Sequence, residues 1–275
     1  MATSFQNEVW VKSLVDGREA PVIVDDYSRH FPRWSPDGVQ LVYQRRKPST
    51  NERQLMVWSS QSHDEEPLTT LSGPTNPLPS NGNVYDWSPD GKWLLVCKTT
   101  PRIGIDAYYP RTEFWLVPVT SAPHAETAAQ KIISHPAYQL YQPQFSPNGR
   151  WIVFEAVANS PSPESTLYLV PASGGPWTRI TDSKHWDDKP RWSPDGRTIY
   201  YVSGRGGFFN VWGIHFDPAT GKTVGQPFQV SKFESPRLMI PRWIPPVGLS
   251  LTQDKLVLTM AEESGSIWML DNANR

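Results

Sequence analysis

The residue types that could do chemistry concentrate in one short segment, His185-Trp186-Asp187-Asp188. An imidazole beside two carboxylates suits general acid/base catalysis, or divalent metal binding if further ligands converge on it. His30 is the partner that a metal site would need, but two histidines are fewer than the usual three or four protein ligands. We predict no catalytic residue, metal or cofactor. Contact with a ligand and a solvated loop both remain open for this segment.

Other candidate residues stand at similar places, immediately before segments with β-strand patterns. They are Arg29, His30, Tyr85, Asp86, Tyr141 and Gln142. Loops at one end of a β-sheet assembly cluster together and carry function more often than the strands do. We therefore expect these residues and the His185 segment to surround one mouth of a channel. A group of aromatic and acidic side chains there favours a polar or cationic partner.

Signatures of several enzyme classes are missing from the sequence. There is no Gly-x-Ser-x-Gly elbow of a serine hydrolase and no His-Glu-x-x-His zinc motif. Gly221-Lys222-Thr223 lacks the upstream glycine of a phosphate-binding loop. The single cysteine, Cys97, excludes an intramolecular disulfide and a multi-cysteine zinc site, and its apolar neighbours predict a buried side chain.

Composition narrows the class of protein further. The 275 residues carry a formal charge of −1, whereas nucleic-acid binders usually have a basic excess, so we expect no nucleic-acid partner. No apolar run approaches the roughly 20 residues of a membrane span. No signal peptide is recognisable, so an extracytoplasmic location would require a longer parent chain. The 28 prolines and 18 glycines argue against a helical bundle and favour short strands with many turns.

An internal repeat organises the whole chain. An aromatic residue, Ser, Pro, Asp or Asn, and Gly recur in the same order and precede a β-strand pattern at Trp34–Gly38, Trp87–Gly91, Phe145–Gly149 and Trp192–Gly196. The motif prolines are 53, 58 and 47 residues apart. Proline presets the backbone of a tight turn and glycine accepts a positive φ, so each motif predicts a hairpin and its aspartate is structural.

The repeat predicts an all-β fold. A second aromatic strand follows each turn and then a short polar strand, so each unit contains four antiparallel strands, named a to d outwards. Such units are typical of a β-propeller. We predict one domain over residues 1–275, with c and d strands at 7–26 and repeat units at about 27–75, 76–134, 135–182, 183–232 and 233–271.

The motif resembles the WD40-like PD40 repeat of TolB-type propellers, whose consensus is Pro-x-Trp-Ser-Pro-Asp-Gly. The segment Ser203-Gly204-Arg205-Gly206-Gly207 with Asn210-Val211-Trp212 matches the second half of that repeat. The segment ending at Ile267-Trp268-Met269-Leu270 also resembles the C-terminal propellers of bacterial sensor kinases and regulators. The resemblance covers roughly residues 7–271, and it implies a fold of about six blades and no particular activity.

The two ends of the repeat depart from this pattern. The last inner strand begins either at Pro241-Arg242-Trp243 or at Leu249-Ser250-Leu251-Thr252, and we expect one aromatic strand after it and no strand d. At the other end, Glu8–Leu14 and Pro21–Val24 supply strands c and d with no strand a or b before them. About five to six blades result. Either the N-terminal strands close the last blade, or the propeller is incomplete and part of a larger protein, which we favour.

We therefore expect a non-catalytic TolB-like propeller that acts as a sensor or scaffold module. It would bind a protein or a small polar ligand at the channel mouth. The alternative is a propeller-fold polysaccharide lyase or glycoside hydrolase with its site in the same place. A purely structural propeller beside a peptidase is a third reading.

Overall fold

A computed structural model provides the coordinates. It describes residues 2–5, 8–50, 52–70, 83–100, 111–119, 129–158, 164–235, 238–241, 249–252 and 254–262. Every regular element in these ranges is a β-strand, so they contain no helix that could cross a membrane. The predicted all-β class and the predicted four-stranded antiparallel blades are confirmed.

Four sheets are complete blades whose strands follow one another in chain order. Blade 1 contains β4 (Ser28–Trp34), β5 (Gln40–Arg46), β6 (Arg53–Ser59) and β7 (Glu65–Thr70). Blade 2 contains β8 (Asn83–Trp87), β9 (Trp93–Thr100), β10 (Arg111–Pro118) and β11 (Gln130–Ser134). Blade 3 contains β12 (Tyr138–Phe145), β13 (Trp151–Ala158), β14 (Ser165–Pro171) and β15 (Thr178–Arg179). Blade 4 contains β16 (Asp187–Trp192), β17 (Thr198–Ser203), β18 (Asn210–Asp217) and β19 (Lys222–Gln229).

The N-terminal sheet has three strands, β1 (Ala2–Phe5), β2 (Glu8–Lys12) and β3 (Glu19–Pro21), in that order. β2 falls where strand c was predicted, whereas β3 ends at Pro21, the residue at which the predicted strand d begins. The expectation that no strand precedes them was wrong, because β1 pairs with β2. Its four residues are too short a run to give a β-strand pattern. β1 and β2 both pack against β4, so this sheet adjoins blade 1.

After blade 4 the structure describes four short strands, β20 (Leu238–Met239), β21 (Leu249–Leu251), β22 (Leu256–Leu258) and β23 (Ala261–Glu262). They form two two-stranded sheets, β20 with β23 and β21 with β22, which we assign to a fifth blade. β21 packs against β16 and forms a hairpin with β22, which agrees with the second of the two predicted placements. The turn repeats the motif chemistry, since the Thr252 hydroxyl contacts Asp254 Oδ1 at 3.1 Å and accepts a hydrogen bond from Lys255 N. Arg242, Trp243 and the predicted strand around Trp268 lie outside the described residues.

The repeated turns have the predicted geometry. Gly38, Gly91, Gly149 and Gly196 all have φ between 67° and 72°. In the first turn, the Ser35 hydroxyl donates to Asp37 Oδ1 at 2.5 Å and accepts from Gln40 N at 2.9 Å. The hydrogen bond from Ser35 is the main cause that lowers the pKa of Asp37, and the equivalent serines act on Asp90 and Asp195. These aspartates therefore stabilise turns.

The apolar core lies between successive blades. Val42 and Leu55 of blade 1 pack against Val84, Leu94 and Val96 of blade 2, and similar clusters join the later blades. Cys97 is buried in the cluster between blades 2 and 3, as predicted. Successive a strands pack against one another, from β4 through β8 and β12 to β16. The a strands thus surround a common axis, and their first residues mark one end of it.

Candidate functional site

The channel mouth is the end of the axis at which β4, β8, β12 and β16 begin. Strands a start here and run towards the Ser-Pro-Asp-Gly turns, and strands b return, so strands b end and strands c begin at this mouth too. The ten predicted site residues lie in or just before the a strands of blades 1 to 4. They occupy several environments: the inner ring, the core between blades 2 and 3, a buried cluster between blades 3 and 4, blade 1, and the exposed surface at His185.

The inner ring consists of the side chains that directly precede the last aromatic or apolar residue of each strand a. They are Arg33, Asp86, Gln144 and Arg191, and the blade 5 register adds Ser250. Arg33 Nε donates to Tyr85 O at 2.8 Å, and Arg191 Nε donates to Leu249 O at 2.6 Å. Because both carbonyls belong to the following blade, the two arginines fasten neighbouring blades together.

One carboxylate faces two arginines in this ring. Phe145 N donates to Asp86 Oδ2 at 2.8 Å, and burial raises the pKa of Asp86 to about 6 in spite of that bond. Burial and the charge of Arg33 lower the pKa of Arg191 to about 10. Burial is the main cause of the lowered pKa, and the charge of Asp86 acts in the opposite direction. Asp86 thus lies in the inner ring with Arg33 and Arg191, which the sequence analysis missed, and its contact with a ligand stays a prediction.

A β-bulge interrupts each of the four complete a strands just outside the inner ring. In blades 1, 3 and 4 the extra residue has a left-handed conformation: Phe31 at φ 58°, Gln142 at 50° and Lys189 at 55°. None of these is glycine, so each costs roughly 1 to 2 kcal/mol that the surrounding contacts must offset. The bulges turn the Gln142 and Lys189 side chains into the protein, where both are buried.

Gln142 and Lys189 meet in a buried polar cluster between blades 3 and 4. Lys189 Nζ donates to Asp188 Oδ2 at 2.6 Å, and both side chains are almost wholly buried. Gln142 Nε2 lies 3.4 Å from Glu155 Oε2. Burial, followed by the charge of Asp188, raises the pKa of Glu155 to about 8. Burial also raises the pKa of Asp188, against the effect of Lys189.

The Ser165 hydroxyl links this cluster to the next blade. It contacts Glu155 Oε1 at 2.9 Å and Asp187 O at 2.5 Å. The hydrogen bond from Ser165 favours the ionised form of Glu155, but burial and the charge of Asp188 outweigh it and raise the pKa of Glu155.

The His185 segment divides between surface and interior. His185 is exposed, and Trp186 is half-buried with its Nε1 3.3 Å from Asp188 Oδ2. Asp187 is fully buried, its Oδ2 lies 3.5 Å from an Arg205 nitrogen, and burial raises its pKa. The carboxylates beside His185 therefore point away from it, towards Lys189 and Arg205.

The two predicted tyrosines also belong to the interior. Tyr85 is buried in the core between blades 2 and 3, where burial raises its pKa. Tyr141 is half-buried, its hydroxyl bonds to Gln139 Oε1, and burial raises its pKa to about 12. Tyr141 pairs with Glu155 across β12 and β13, so it borders the buried cluster.

Arg29 and His30 occupy opposite faces of blade 1. Arg29 is buried and forms a bidentate ion pair with Asp25 at 2.6 and 2.7 Å, and Glu65 lies 3.3 Å away. His30 is half-buried, and its pKa is lowered by burial and then by the charges of Arg46 and Arg53. A cationic neighbourhood opposes metal binding at His30. No group of three or more His, Cys, Asp or Glu side chains within the described ranges could hold a metal ion.

Sequence reasoning missed Arg33, Arg191, Glu155 and Lys189. The two arginines fill the variable position of the Pro-x-Trp motif, so the repeat itself marks the positions that face the axis. Glu155 interrupts the apolar run Trp151-Ile152-Val153-Phe154, and a charge inside such a run signals a buried polar group. Lys189 gave no signal, because its burial depends on the bulge.

No protein-family profile matches the chain. Among curated proteins, it is 29% identical over 186 residues to the uncharacterized protein Atu1656 of Agrobacterium fabrum, an alignment that covers 68% of this chain and 54% of the relative. It is 25% identical over 179 residues to the uncharacterized peptidase YuxL of Bacillus subtilis, covering 56% of this chain and 25% of YuxL. The chain thus spans about half the length of the first relative and a quarter of the second.

Solved structures match the fold over most of the chain. A putative TolB from Agrobacterium tumefaciens has a TM-score of 0.58 at 20% identity, covering 81% of this chain and 74% of that one. An oligogalacturonate lyase in complex with manganese has a TM-score of 0.58 at 14% identity, covering 84% and 61%. The β-propeller domain of the Trilobed protease from Pyrococcus furiosus has a TM-score of 0.53 at 12% identity, covering 95% and 84%.

The sheets and their structural matches define the chain as a β-propeller. TolB structures are among these neighbours, which is consistent with the TolB-like fold that the sequence motif predicted.

Proposed function

We propose that the chain is a non-catalytic propeller module that binds a protein or a small polar ligand at the channel mouth. The observation that carries this proposal is the state of the mouth carboxylates. Asp86 is held by a backbone N–H group, Asp188 by Lys189, and Glu155 by the Ser165 hydroxyl. Fixed and paired groups of this kind build a rigid wall for recognition. A hydrolase or lyase needs an acid or base free to exchange a proton with its substrate.

The rival proposals come from the relatives. One solved neighbour is an oligogalacturonate lyase with manganese, and one curated relative is a peptidase of which this chain spans a quarter. The first favours a sugar-cleaving site at the mouth, and the second favours a propeller that accompanies a peptidase. Only the first places chemistry at the mouth, so turnover assays with mouth variants separate it from binding alone.

The test combines a binding screen with turnover assays. We expect the chain to bind ligands on peptide or oligosaccharide arrays and to release no product from oligogalacturonate or dipeptide arylamides, with or without Mn²⁺. His185→Ala should weaken that binding by about tenfold or more without loss of stability, because His185 is exposed at the mouth. Lys92→Ala, an exposed change in the turn at the opposite end, is the matched control and should bind as wild type does.

Two results would overturn the proposal. Mn²⁺-dependent cleavage that His185→Ala abolishes would make the mouth an active site. Equal loss of array binding in His185→Ala and Lys92→Ala would remove the mouth as the binding surface.

A further inference from the structure

The turn between β12 and β13 departs from the other three motif turns at one residue. Asn148, followed by Gly149, stands where the equivalent turns have an aspartate, namely Asp37, Asp90 and Asp195. In an Asn-Gly pair the backbone nitrogen of the glycine can attack the asparagine side-chain amide readily, because glycine has no side chain to hinder the approach. The chain therefore carries an intrinsically reactive dipeptide within a structural motif.

The folded turn holds the Asn148 side chain by its oxygen. The Ser146 hydroxyl donates to Asn148 Oδ1 at 2.8 Å, and Arg150 N donates to the same oxygen at 3.1 Å. Asn148 is exposed, and its Nδ2 donates no hydrogen bond to the part of the chain that the structure describes. The nitrogen that deamidation would release is therefore in water, whereas the carbonyl oxygen is fixed.

The attacking nitrogen is restrained in the same turn. Gly149 N donates to Ser146 O at 2.8 Å, so its proton is held inside the turn. Attack on the side chain requires this proton to pass to a base in the solvent, so the turn must open before the reaction. Pro147, Asn148 and Arg150 are exposed, and opening of such a surface turn costs less free energy than unfolding of the whole blade.

An aspartate fits this turn in place of Asn148. In blade 4, the Ser193 hydroxyl donates to Asp195 Oδ1 at 2.6 Å and Arg197 N donates to it at 3.0 Å, the same two bonds that the asparagine oxygen accepts. The hydrogen bond from Ser193 is the main cause that lowers the pKa of Asp195, and the charge of Arg197 acts in the same direction. Hydrogen bonds to an ionised carboxylate are stronger than those to a neutral amide. Arg150 occupies the position of Arg197, so a carboxylate at position 148 would have the same partners.

We propose that Asn148 is a deamidation site, which reacts when the β12–β13 turn opens and whose aspartate product the closed turn accepts. Gly149 N gives its proton to a solvent base and bonds to Asn148 Cγ, and the Cγ–Nδ2 bond breaks as Nδ2 takes up a proton and leaves as ammonia. Water then opens the cyclic imide at Cγ, which restores the peptide bond to Gly149 and leaves a carboxylate on the side chain. The reaction consumes one water, releases one ammonia and adds a negative charge to the turn.

Water can also open the imide at the main-chain carbon of residue 148, which gives isoaspartate. The backbone then runs through Cβ and Cγ and is longer by one atom. The hairpin is closed close to this point, because Phe145 pairs with Ile152 and Ser146 N donates to Trp151 O at 2.8 Å. A longer backbone does not fit between these bonds. Aspartate is therefore the product that is compatible with the native hairpin.

The experiment follows deamidation of the full chain during incubation at pH 7.4 and 37 °C, in buffer and in guanidinium chloride. Mass spectrometry of the tryptic peptide 132–150 measures the reaction, because this peptide contains Asn148 and no other asparagine. Intact mass would also include any reaction at Asn81-Gly82, the second Asn-Gly pair of the sequence. We expect Asn148 to react at least about tenfold faster in the unfolded chain than in the folded one, because the bonds of the turn are lost.

Two serine variants show whether the local turn controls the reaction. Ser146→Ala removes the hydroxyl that holds Asn148 Oδ1 and should speed deamidation of the folded chain by about threefold or more. Ser193→Ala removes the equivalent hydroxyl from the turn of blade 4 and is the matched control, so the rate at Asn148 should stay at the wild-type value. Asn148→Asp, which reproduces the product, should be at least as stable as wild type in urea melts.

Four results would overturn the proposal. No reaction at Asn148 in the unfolded chain would remove the site, and equal rates in the folded and unfolded chains would mean that the turn does not restrain it. Equal rates for Ser146→Ala and Ser193→Ala would mean that opening of this turn does not limit the reaction. A clear loss of stability in Asn148→Asp would mean that the turn rejects the carboxylate. The turn lies at the end opposite to the channel mouth, so none of these results bears on binding there.

Discussion

Burial, followed by the charge of Asp188, favours the protonated form of Glu155. The acid titrates near 4.5 when unfolded and near 8 in the folded chain, so the folded state holds an extra proton between these values. Its contribution to stability is complete below pH 4.5 and is lost as pH rises through 8. The slope approaches about 1.4 kcal/mol per pH unit.

We expect Glu155→Gln to remove this loss, since the amide keeps a donor and never ionises. Urea unfolding between pH 5 and pH 8.5 measures the effect. The free energy of unfolding of the variant should rise relative to wild type as the pH increases. Glu164→Gln, at an exposed position of blade 3, should follow the wild-type curve. Parallel curves for Glu155→Gln and wild type would show that Glu155 is ionised in the folded chain.

Gly221 is restrained both by a positive φ and by a close neighbouring side chain, whereas Gly91 of a repeated turn has only the positive φ. The φ of Gly221 is 70°, and a Cβ at this position would lie 2.4 Å from the Trp151 ring of the neighbouring blade. Gly91 has a similar φ of 72° and open space around it. Gly221→Ala should therefore lose about 2 to 4 kcal/mol of stability, and Gly91→Ala only the backbone contribution of about 1 to 2 kcal/mol. Equal losses in urea melts would mean that Trp151 moves aside freely.

The bulges in strands a explain which parts of the site the sequence could predict. A Ser-Pro-Asp-Gly turn specifies its own geometry through proline, glycine and a short hydrogen-bonding side chain, so the turns were predictable. Phe31, Gln142 and Lys189 carry no such local instruction, since their left-handed conformations are imposed by pairing on both sides of the bulge. The sequence pattern therefore could not predict the direction of the side chains just before the inner ring.

The fifth blade has a larger shift of pairing register between strands a and b than the complete blades have. Ten positions separate Met239 from Leu249 on one side of the pairing, whereas three separate Ala261 from Leu258 on the other. In blade 4, three positions separate Asp188 from Arg191 on strand a, and two separate Val202 from Tyr200 on strand b. The register thus shifts by one residue in blade 4 and by seven residues between the two strand pairs of blade 5. The two predicted placements of its inner strand arose because Pro241 and Leu249 lie on either side of that shift.

The four repeated motifs were sufficient to predict the propeller, because each specifies a hairpin and their spacing requires four strands per unit. The contact between the N-terminal sheet and blade 1 depends instead on distant residues. Val9 and Val22 of the N-terminal segment are buried with Leu41, Tyr43, Met56 and Trp58 of blade 1. Burial of large apolar side chains contributes roughly 1.5 to 3 kcal/mol each, so the sheet is a substantial part of the stability of blade 1.

Deleting residues 1–24 should therefore uncover the apolar face of blade 1 on which the N-terminal sheet packs. We expect a melting temperature lower by at least about 5 °C and concentration-dependent association, because exposed apolar patches of this kind drive aggregation. Light scattering with size-exclusion chromatography and a thermal melt measure both effects. The double variant Leu14→Ser and Val15→Ser alters only side chains that are 76% and 98% exposed, so it should behave as wild type. A truncated chain that stays monomeric with an unchanged melting temperature would mean that blade 1 is stable without the Val9 and Val22 contacts.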